Sequence, residues 1–322
     1  MRLRVAAAAA ALCLSALAAG CMHIAMPEFS PDRPRGGRLM DDVRALASDD
    51  MQGRMVDTKG SIKARAYILN RLKQEGVQGL PGGWLQSFNF ATRKAPDTPL
   101  QGVNVMGWVR GRVHPDQFIV VSAHYDHLGV RDGEIYNGAD DNASGVAGML
   151  DLAHRLRGHA PRYSVLFVAF DGEEEGLKGA EAFVANPPVP MSQIVFNLNL
   201  DMISRLDKGE MYAVGTYQFP VFRPVLERAA QGSKVHLLFG RDTPQDTEEN
   251  HWVELSDQDA FYKAGVPFVF FSVDDHPDYH RPTDDPERIP VPFFEAAAQL
   301  VADSFKLIDK MDLAAVKAAQ RP

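Results

Sequence analysis

Four segments between residues 118 and 273 are almost continuously apolar. They cover residues 118–123, 165–170, 194–200 and 266–273. Apolarity without alternation is typical of strands that are covered on both faces, as in the sheets of α/β proteins. Two earlier segments alternate apolar with polar residues and are predicted to be strands as well; their apolar positions are Phe88 and Phe90, and Val103 and Val105.

Helical periodicity fills much of the remaining chain. It begins near residue 38, where one face carries Leu39, Met40, Val43 and Leu46. A second helix is predicted from Ser61, as its N-cap, to about Glu75, because Gly76 stands where a helix ends. Its inward positions are predicted to be Ile62, Ile68, Leu69 and Leu72. Further helices are predicted over 143–157, 179–185, 220–230 and 291–309.

These elements predict one α/β domain over residues 38–322. Its central sheet is expected to be mixed and mostly parallel, with helices on both faces. The formal charge of −8 and the lack of a basic block argue against nucleic acid as a partner.

The first residues, MRLRVAAAAAALCLSALAAGC, have the pattern of an export signal. Residues 17–21 resemble a bacterial lipobox, which implies that residues 1–20 are removed and that Cys21 is lipidated. We therefore expect an exported lipoprotein, anchored to a membrane and facing the periplasm or the cell exterior, with residues 21–37 as a tether. Cys13, the other cysteine, lies in the signal, so no disulfide is expected. The alternative is an ordinary secretory signal that is cut near Gly20.

Polar clusters follow each of the four apolar segments. They are residues 124–127, residues 171–175, Asp201 and residues 274–280. In open α/β sheets, ligands bind outside the carboxyl ends of the strands. Histidine, aspartate and glutamate without cysteine suit zinc, or less specifically manganese or cobalt. Metal ions would also neutralise the four acids in residues 171–175, which could otherwise be a solvated helix start.

Six motifs along the chain, most of them at the ends of these apolar segments, resemble those of the secreted di-zinc aminopeptidases of metallopeptidase family 28. They are LASDDMQGR (46–54), AHYDHLG (123–129), NGADDNASG (137–145), EEEGLKG (173–179), NLDM (199–202) and DYHRPTDD (278–285). The resemblance covers roughly residues 38–310. The same fold group includes glutamate carboxypeptidases and glutaminyl cyclases.

The resemblance implies two zinc ions per chain and a set of residues that bind them. His124 and Asp201 would bind the first ion, Glu174 and His280 the second, and Asp141 would bridge the two. Glu173 matches the general base that activates a water between the metals, Asp126 matches the acid that orients His124, and Tyr279 is a candidate hydrogen-bond donor to the oxyanion. The implied activity removes the N-terminal residue from peptides with a free N-terminus.

Several neighbouring residues receive other interpretations. Asp140, His127 and His276 are interpreted as turn or loop residues, or as hydrogen-bond partners of ligands, and Asp171 as a solvated or helix-start acid. Gln258 stands where many relatives have histidine, which affects the expected specificity more than catalysis. The acidic segment 241–254 is either a solvated loop or the rim of a pocket.

Two other functions stay open. The first is a zinc acyltransferase of the glutaminyl-cyclase type, which would use one ion. The second is a lipoprotein that binds zinc or peptides without catalysis. Retention of Glu173 argues against the second, because metal binding alone needs no base.

Overall fold

The structure, a computed structural model, describes residues 33–92, 96–205 and 207–319. The predicted signal peptide, Cys21 and most of the predicted tether lie outside these residues. The helices are α1 (Arg35–Leu46), α2 (Lys59–Gln74), α3 (Gly145–Leu156), α4 (Lys178–Ala185), α5 (Arg223–Ala229), α6 (Gln258–Lys263), α7 (Val291–Ile308) and α8 (Leu313–Ala318). The strands are β1 (Leu85–Phe90), β2 (Leu100–Val109), β3 (His114–His124), β4 (Gly129–Arg131), β5 (Glu134–Tyr136), β6 (Tyr163–Phe170), β7 (Ile194–Leu200), β8 (Glu210–Val214), β9 (His236–Phe239) and β10 (Phe268–Ser272).

Eight strands form one mixed sheet in the order β1-β2-β6-β3-β7-β10-β8-β9. The four central strands, β6, β3, β7 and β10, are mutually parallel, and they are the four continuously apolar segments. Antiparallel pairs join β1 to β2, β2 to β6 and β8 to β10, whereas β9 runs parallel to β8. The predicted mixed, mostly parallel sheet is therefore confirmed. Strands β4 and β5 form a separate hairpin.

The central strands are buried on both faces, which explains their continuous apolarity. Along β3, Val121 belongs to the core cluster that also contains residues of α1, α3 and α7. Its neighbour Val120 belongs to a second cluster, which contains residues of α4 and α6. Because the central strands are parallel, their carboxyl ends all lie at one edge of the sheet.

Two helices differ from their predicted limits. Helix α1 begins at Arg35, inside the predicted tether, because Gly36 docks on α7 with its N–H 3.1 Å from Glu295 Oε1. Helix α2 is capped by Thr58, whose Oγ1 accepts from the N–H of Ser61 at 3.3 Å. Ser61 is therefore inside the helix and points inward. Ile62, one position and about 100° further around the helix, is 51% exposed and was wrongly placed inward.

Strands β8 and β9, which form the edge of the sheet beyond β10, are not predicted from the sequence, because both are short. The two ends of segment 241–254 pack against this edge, whereas residues 244–245 and 247–249 between them are exposed, as predicted for a solvated loop. Trp252 is buried, and the Arg241 guanidinium lies between the Trp252 and Tyr212 rings, at 4.8 and 5.1 Å from their centroids. Within the described part of the chain, no helix has both the length and the apolarity needed to cross a membrane.

Candidate metal centre

The carboxyl edge of the central strands brings the five candidate metal ligands together. His124 ends β3, Asp201 follows β7 directly, and Glu174 lies four residues after β6. His280 follows β10, and Asp141 comes from the segment that precedes α3. Each residue is thus carried on a loop whose base is fixed by a buried strand or helix.

A first group of donor atoms consists of His124, Asp141 and Asp201, all within 4.8 Å of one another. His124 Nε2 lies 3.2 Å from Asp201 Oδ1 and 3.5 Å from Asp141 Oδ1. The other ring nitrogen, Nδ1, lies 3.2 Å from the Asp126 carbonyl oxygen. That oxygen can only accept, so it selects the tautomer in which Nδ1 carries the hydrogen and Nε2 presents its lone pair to the two carboxylates.

A second group surrounds the other oxygen of the same aspartate. His280 Nε2 lies 3.1 Å from Asp141 Oδ2 and 3.4 Å from Glu174 Oε2. His127 also enters this group, with its donor atom within 4.8 Å of those of Asp141 and Glu174. Asp141 therefore directs one oxygen toward each group, as a bridging ligand must. The contact of His127 Nδ1 with Glu174 Oε1, at 2.7 Å, agrees with its interpretation as a hydrogen-bond partner of a ligand.

The donor set fits zinc, because both groups combine imidazole nitrogen with carboxylate oxygen. The electrostatics of the site also suit a cation. Burial alone would lower the pKa of His280, but hydrogen bonds with Asp141 and Glu174 raise it to about 10. A metal ion bound here would compete with a proton for the His280 imidazole, so metal affinity would rise with pH.

The Asp126 carboxylate has a different partner from the one expected. Its Oδ1 lies 3.7 Å from His124 Nδ1, and the ring donates its hydrogen bond to the Asp126 main-chain carbonyl oxygen instead. The carboxylate accepts the backbone N–H groups of Glu173 and Glu174, at 3.1 and 3.3 Å. Asp126 therefore positions both the loop that carries the proposed base and the histidine.

Glu173 and Tyr279 lie beside the two donor groups. Burial raises the pKa of Glu173 well above its ordinary value, and the nearby carboxylates of Asp201 and Glu174 add to this increase. The Tyr279 ring stacks on the His280 imidazole, with centroids 3.9 Å apart. Burial, followed by the charges of Asp141 and Asp201, raises the pKa of Tyr279, so its hydroxyl stays protonated.

Asp140 and His276 form a contact beneath Asp141 and outside both donor groups. Asp140 Oδ2 lies 3.2 Å from His276 Nε2, and its Oδ1 accepts from the N–H and hydroxyl of Ser204. The backbone N–H groups of Asp140 and Asp141 both donate to the buried Asp284 carboxylate, at 3.0 and 3.1 Å. These bonds fix the main chain that presents the bridging carboxylate.

Arg54 is a functional residue that sequence reasoning missed, although it ends the quoted LASDDMQGR motif. Its side chain is completely buried, and its guanidinium donates to four main-chain carbonyls at 2.6–2.9 Å. Three of these carbonyls, those of Tyr125, Asn137 and Gly138, belong to the two loops that carry His124, His127 and Asp141. Arg54 thus ties these loops together and places a positive charge beneath the acids.

Asp171 and Asp257 are two further buried acids. The interpretation of Asp171 as a solvated or helix-start acid is wrong: its Oδ2 accepts from Val103 N and Tyr125 Oη at 2.9 Å and from Ser61 Oγ at 3.3 Å.

Asp257 is fully buried, and no described residue hydrogen-bonds to either of its carboxylate oxygens. Burial raises the pKa of Asp257 to about 8. The proximity of Asp257 to the first group depends on tertiary folding, so no local pattern could have revealed it.

Known proteins share this sequence pattern and this architecture. The family model described as Peptidase family M28 matches residues 104–305. A probable zinc metalloprotease from Pyrenophora teres f. teres is 28% identical over 186 residues, which are 53% of this chain and 39% of that protein. Aminopeptidase YwaD from Bacillus subtilis is 28% identical over 202 residues, which are 58% of this chain and 40% of that protein. The chain therefore spans about two-fifths of the length of these curated relatives.

The fold also matches solved structures. A glutaminyl cyclase from Fimbriiglobus ruber superposes with a TM-score of 0.70 at 21% identity, covering 87% of this chain and 98% of the cyclase. At this identity the likeness concerns the fold. It agrees with the predicted single α/β domain.

Replacement of Arg54 should destabilise the protein strongly. R54M removes one buried cation and leaves four carbonyls without donors, so we expect a loss of at least about 3 kcal/mol in the free energy of unfolding. R54K keeps the charge but lacks the planar fork of donors, and should lose most of this stability as well. R44M, at an exposed arginine of α1, is the control and should change stability by less than about 0.5 kcal/mol. Urea unfolding of the metal-free protein measures all three; a stable R54M would contradict the assigned role.

Asp171 should make the stability of the metal-free protein depend on pH. Burial raises the pKa of its carboxyl from 3.8 to about 7, so the folded state keeps a proton that the unfolded state loses. Stability should therefore fall as the pH rises from about 4 to about 7. D171N should reduce this slope by up to about 1.4 kcal/mol per pH unit, whereas E175Q, at a partly exposed acid, should not. Urea unfolding at several pH values tests this, and equal slopes in D171N and the wild type would refute it.

Proposed function

The chain belongs to peptidase family M28, and we propose that it is a di-zinc aminopeptidase that removes single residues from the N-terminus of peptides. The main support is the position of Asp141, which directs one carboxylate oxygen toward each of two donor groups. Relatives named as a zinc metalloprotease and as an aminopeptidase add to it. A second ion has no role in the one-metal cyclase alternative, so the doubled site favours the peptidase.

In this proposal, His124, Asp141 and Asp201 would hold one zinc ion, and Asp141, Glu174 and His280 would hold the other. Bound zinc polarises a carbonyl and lowers the pKa of water. The protein supplies the proton transfers and the orientation of the substrate. The carboxylate-rich site also favours a substrate with a protonated, positively charged α-amine.

Glu173 is the proposed general base and acid. Its carboxylate takes a proton from the attacking water and later delivers it to the departing amine. A raised pKa makes this carboxylate a stronger base toward the attacking water, and its protonated form is still acidic enough to protonate the departing amine. Asp126 holds the backbone N–H of Glu173 at 3.1 Å and so keeps the loop in place. The Tyr279 hydroxyl, which stays protonated, is the proposed donor to the oxyanion that develops on the substrate.

A peptide offered with either a free or an acetylated N-terminus tests the activity. Mass spectrometry should show stepwise loss of N-terminal residues from the free form only, and a chelator should abolish it. E173Q should bind two zinc ions but be about 10²–10⁴-fold slower. E175Q, an adjacent acid of the same loop, is the matched control and should keep the wild-type rate.

Three results would contradict this function. Equal cleavage of both peptides would mean that the free amine is not recognised. Cyclisation of an N-terminal glutamine without hydrolysis would indicate the acyltransferase. Zinc binding without any reaction would indicate the binding-protein alternative.

We also propose that the chain is exported and anchored to a membrane through lipid on Cys21. The support is the charged and apolar start of the chain and the lipobox-like residues 17–21. One acyl chain binds membranes only weakly, so more than one is expected for stable anchoring.

Labelling with a radioactive fatty acid in a bacterial host tests the anchor. Wild type and C13S should both incorporate the label and sediment with membranes, whereas C21S should do neither. An unlabelled, soluble wild type that begins near residue 21 would establish the ordinary secretory signal instead.

A further inference from the structure

The second donor group contains a histidine that the family resemblance does not assign to a metal. His127 lies in the loop after β3, three residues beyond His124, and its side chain is completely buried. Its Nδ1 lies 2.7 Å from Glu174 Oε1 and 3.6 Å from Asp141 Oδ2. Two proposed ligands of the second ion are therefore its immediate polar neighbours.

These separations suit a common metal ion. Two ligands of a tetrahedral zinc ion with bonds of about 2.0–2.1 Å lie about 3.3–3.4 Å apart. The distances from Asp141 Oδ2 to His280 and to His127 are 3.1 and 3.6 Å, on either side of that value. The distance of 2.7 Å between His127 Nδ1 and Glu174 Oε1 is shorter than this value. A bound cation would therefore move these two atoms about 0.6 Å further apart.

The His127 ring is held in this orientation by its surroundings. It packs against Gly138, where a β-carbon would lie 2.5 Å from His127 Cδ2. Arg54 fixes the same glycine through its carbonyl at 2.9 Å. His127 Nε2 is buried and has no hydrogen-bond partner among the described residues, so Nδ1 makes the ring's polar contacts. His280, by contrast, is 39% exposed.

We propose that His127 is a fourth protein ligand of the second metal ion, with Asp141, Glu174 and His280. The inference rests on the proposed function only in that the site holds two ions. With His127 the second metal position has four protein ligands, whereas the first has three, His124, Asp141 and Asp201. The two positions are therefore unequal. Sites with four protein ligands are typically closed and structural, whereas three leave a position open for water or substrate. The second ion should therefore be retained more tightly, and the first should carry the open position.

Nuclear magnetic resonance of the ¹⁵N-histidine-labelled protein loaded with ¹¹³Cd tests the ligand directly. Three imidazoles, those of His124, His127 and His280, should show coupling to cadmium. In H127Q one coupling should disappear and the other two should remain. H236Q, at an exposed histidine of β9, is the control and should keep all three.

Zinc affinity provides a second readout that does not depend on catalysis. The wild type should bind two ions with distinct affinities, and H127Q should weaken the tighter site by at least about 10–100-fold. Glutamine can still donate a hydrogen bond to Glu174 but is a poor zinc ligand. A wild-type affinity in H127Q, or only two coupled imidazoles in the wild type, would overturn the inference and reduce His127 to a hydrogen-bond partner.

The same samples separate this inference from the proposed function. A wild type that binds two ions and trims peptides, but shows no coupling to His127, would refute only the fourth ligand. A wild type that binds no metal would refute both.

Discussion

The site depends on holding many carboxylates where little water reaches them. Ionised acids in such a place are costly unless other groups supply hydrogen bonds or opposite charge. The fold supplies hydrogen bonds from the main chain: Asp284 accepts two backbone N–H groups beneath Asp141, and Asp126 accepts two from the acidic loop. Arg54 supplies one fixed positive charge. The single charge of Arg54 does not balance these acids, and a pair of divalent cations would.

The need to stabilise these buried carboxylates explains why the site has more supporting hydrogen bonds than the donor groups alone require. Arg54 donates to main-chain carbonyls of the loops rather than to a carboxylate. It therefore holds the loops in place and leaves the carboxylates available to bind metal. An ion pair with one of the acids would have withdrawn that acid from the metal. The nearest acids, Asp141 and Asp126, instead raise the pKa of Arg54 against the larger effect of burial, which lowers it to about 10.

The sequence predicted the central sheet and placed the candidate ligands at its edge, because local patterns carry that information. Continuous apolar segments identified the four parallel strands, and each polar cluster followed one of them. The contacts that fix the cluster could not be predicted in this way. Ser61 and Asp171 are 110 positions apart and meet only after folding. The prediction that Ile62 faces inward is wrong, because helical periodicity defines an apolar stripe but not which edge of the stripe meets the core. Ser61 takes the inward position, and Ile62 is turned outward.

Gln258 stands where the family resemblance implies histidine in many relatives, and it is expected to affect specificity without altering a metal ligand. Its amide oxygen accepts from Asn199 Nδ2 at 2.9 Å, and its amide nitrogen donates to the Trp252 carbonyl at 3.0 Å. It also donates to the next carbonyl at 3.1 Å. An imidazole has two nitrogens and cannot make all three bonds. Asn199 also donates to Ser256, whose hydroxyl donates to Asp201 Oδ2 at 2.8 Å. Segment 241–254 is thereby connected to a candidate ligand of the first ion through three side chains, so a change in that segment can reorient Asp201 without contacting the metal.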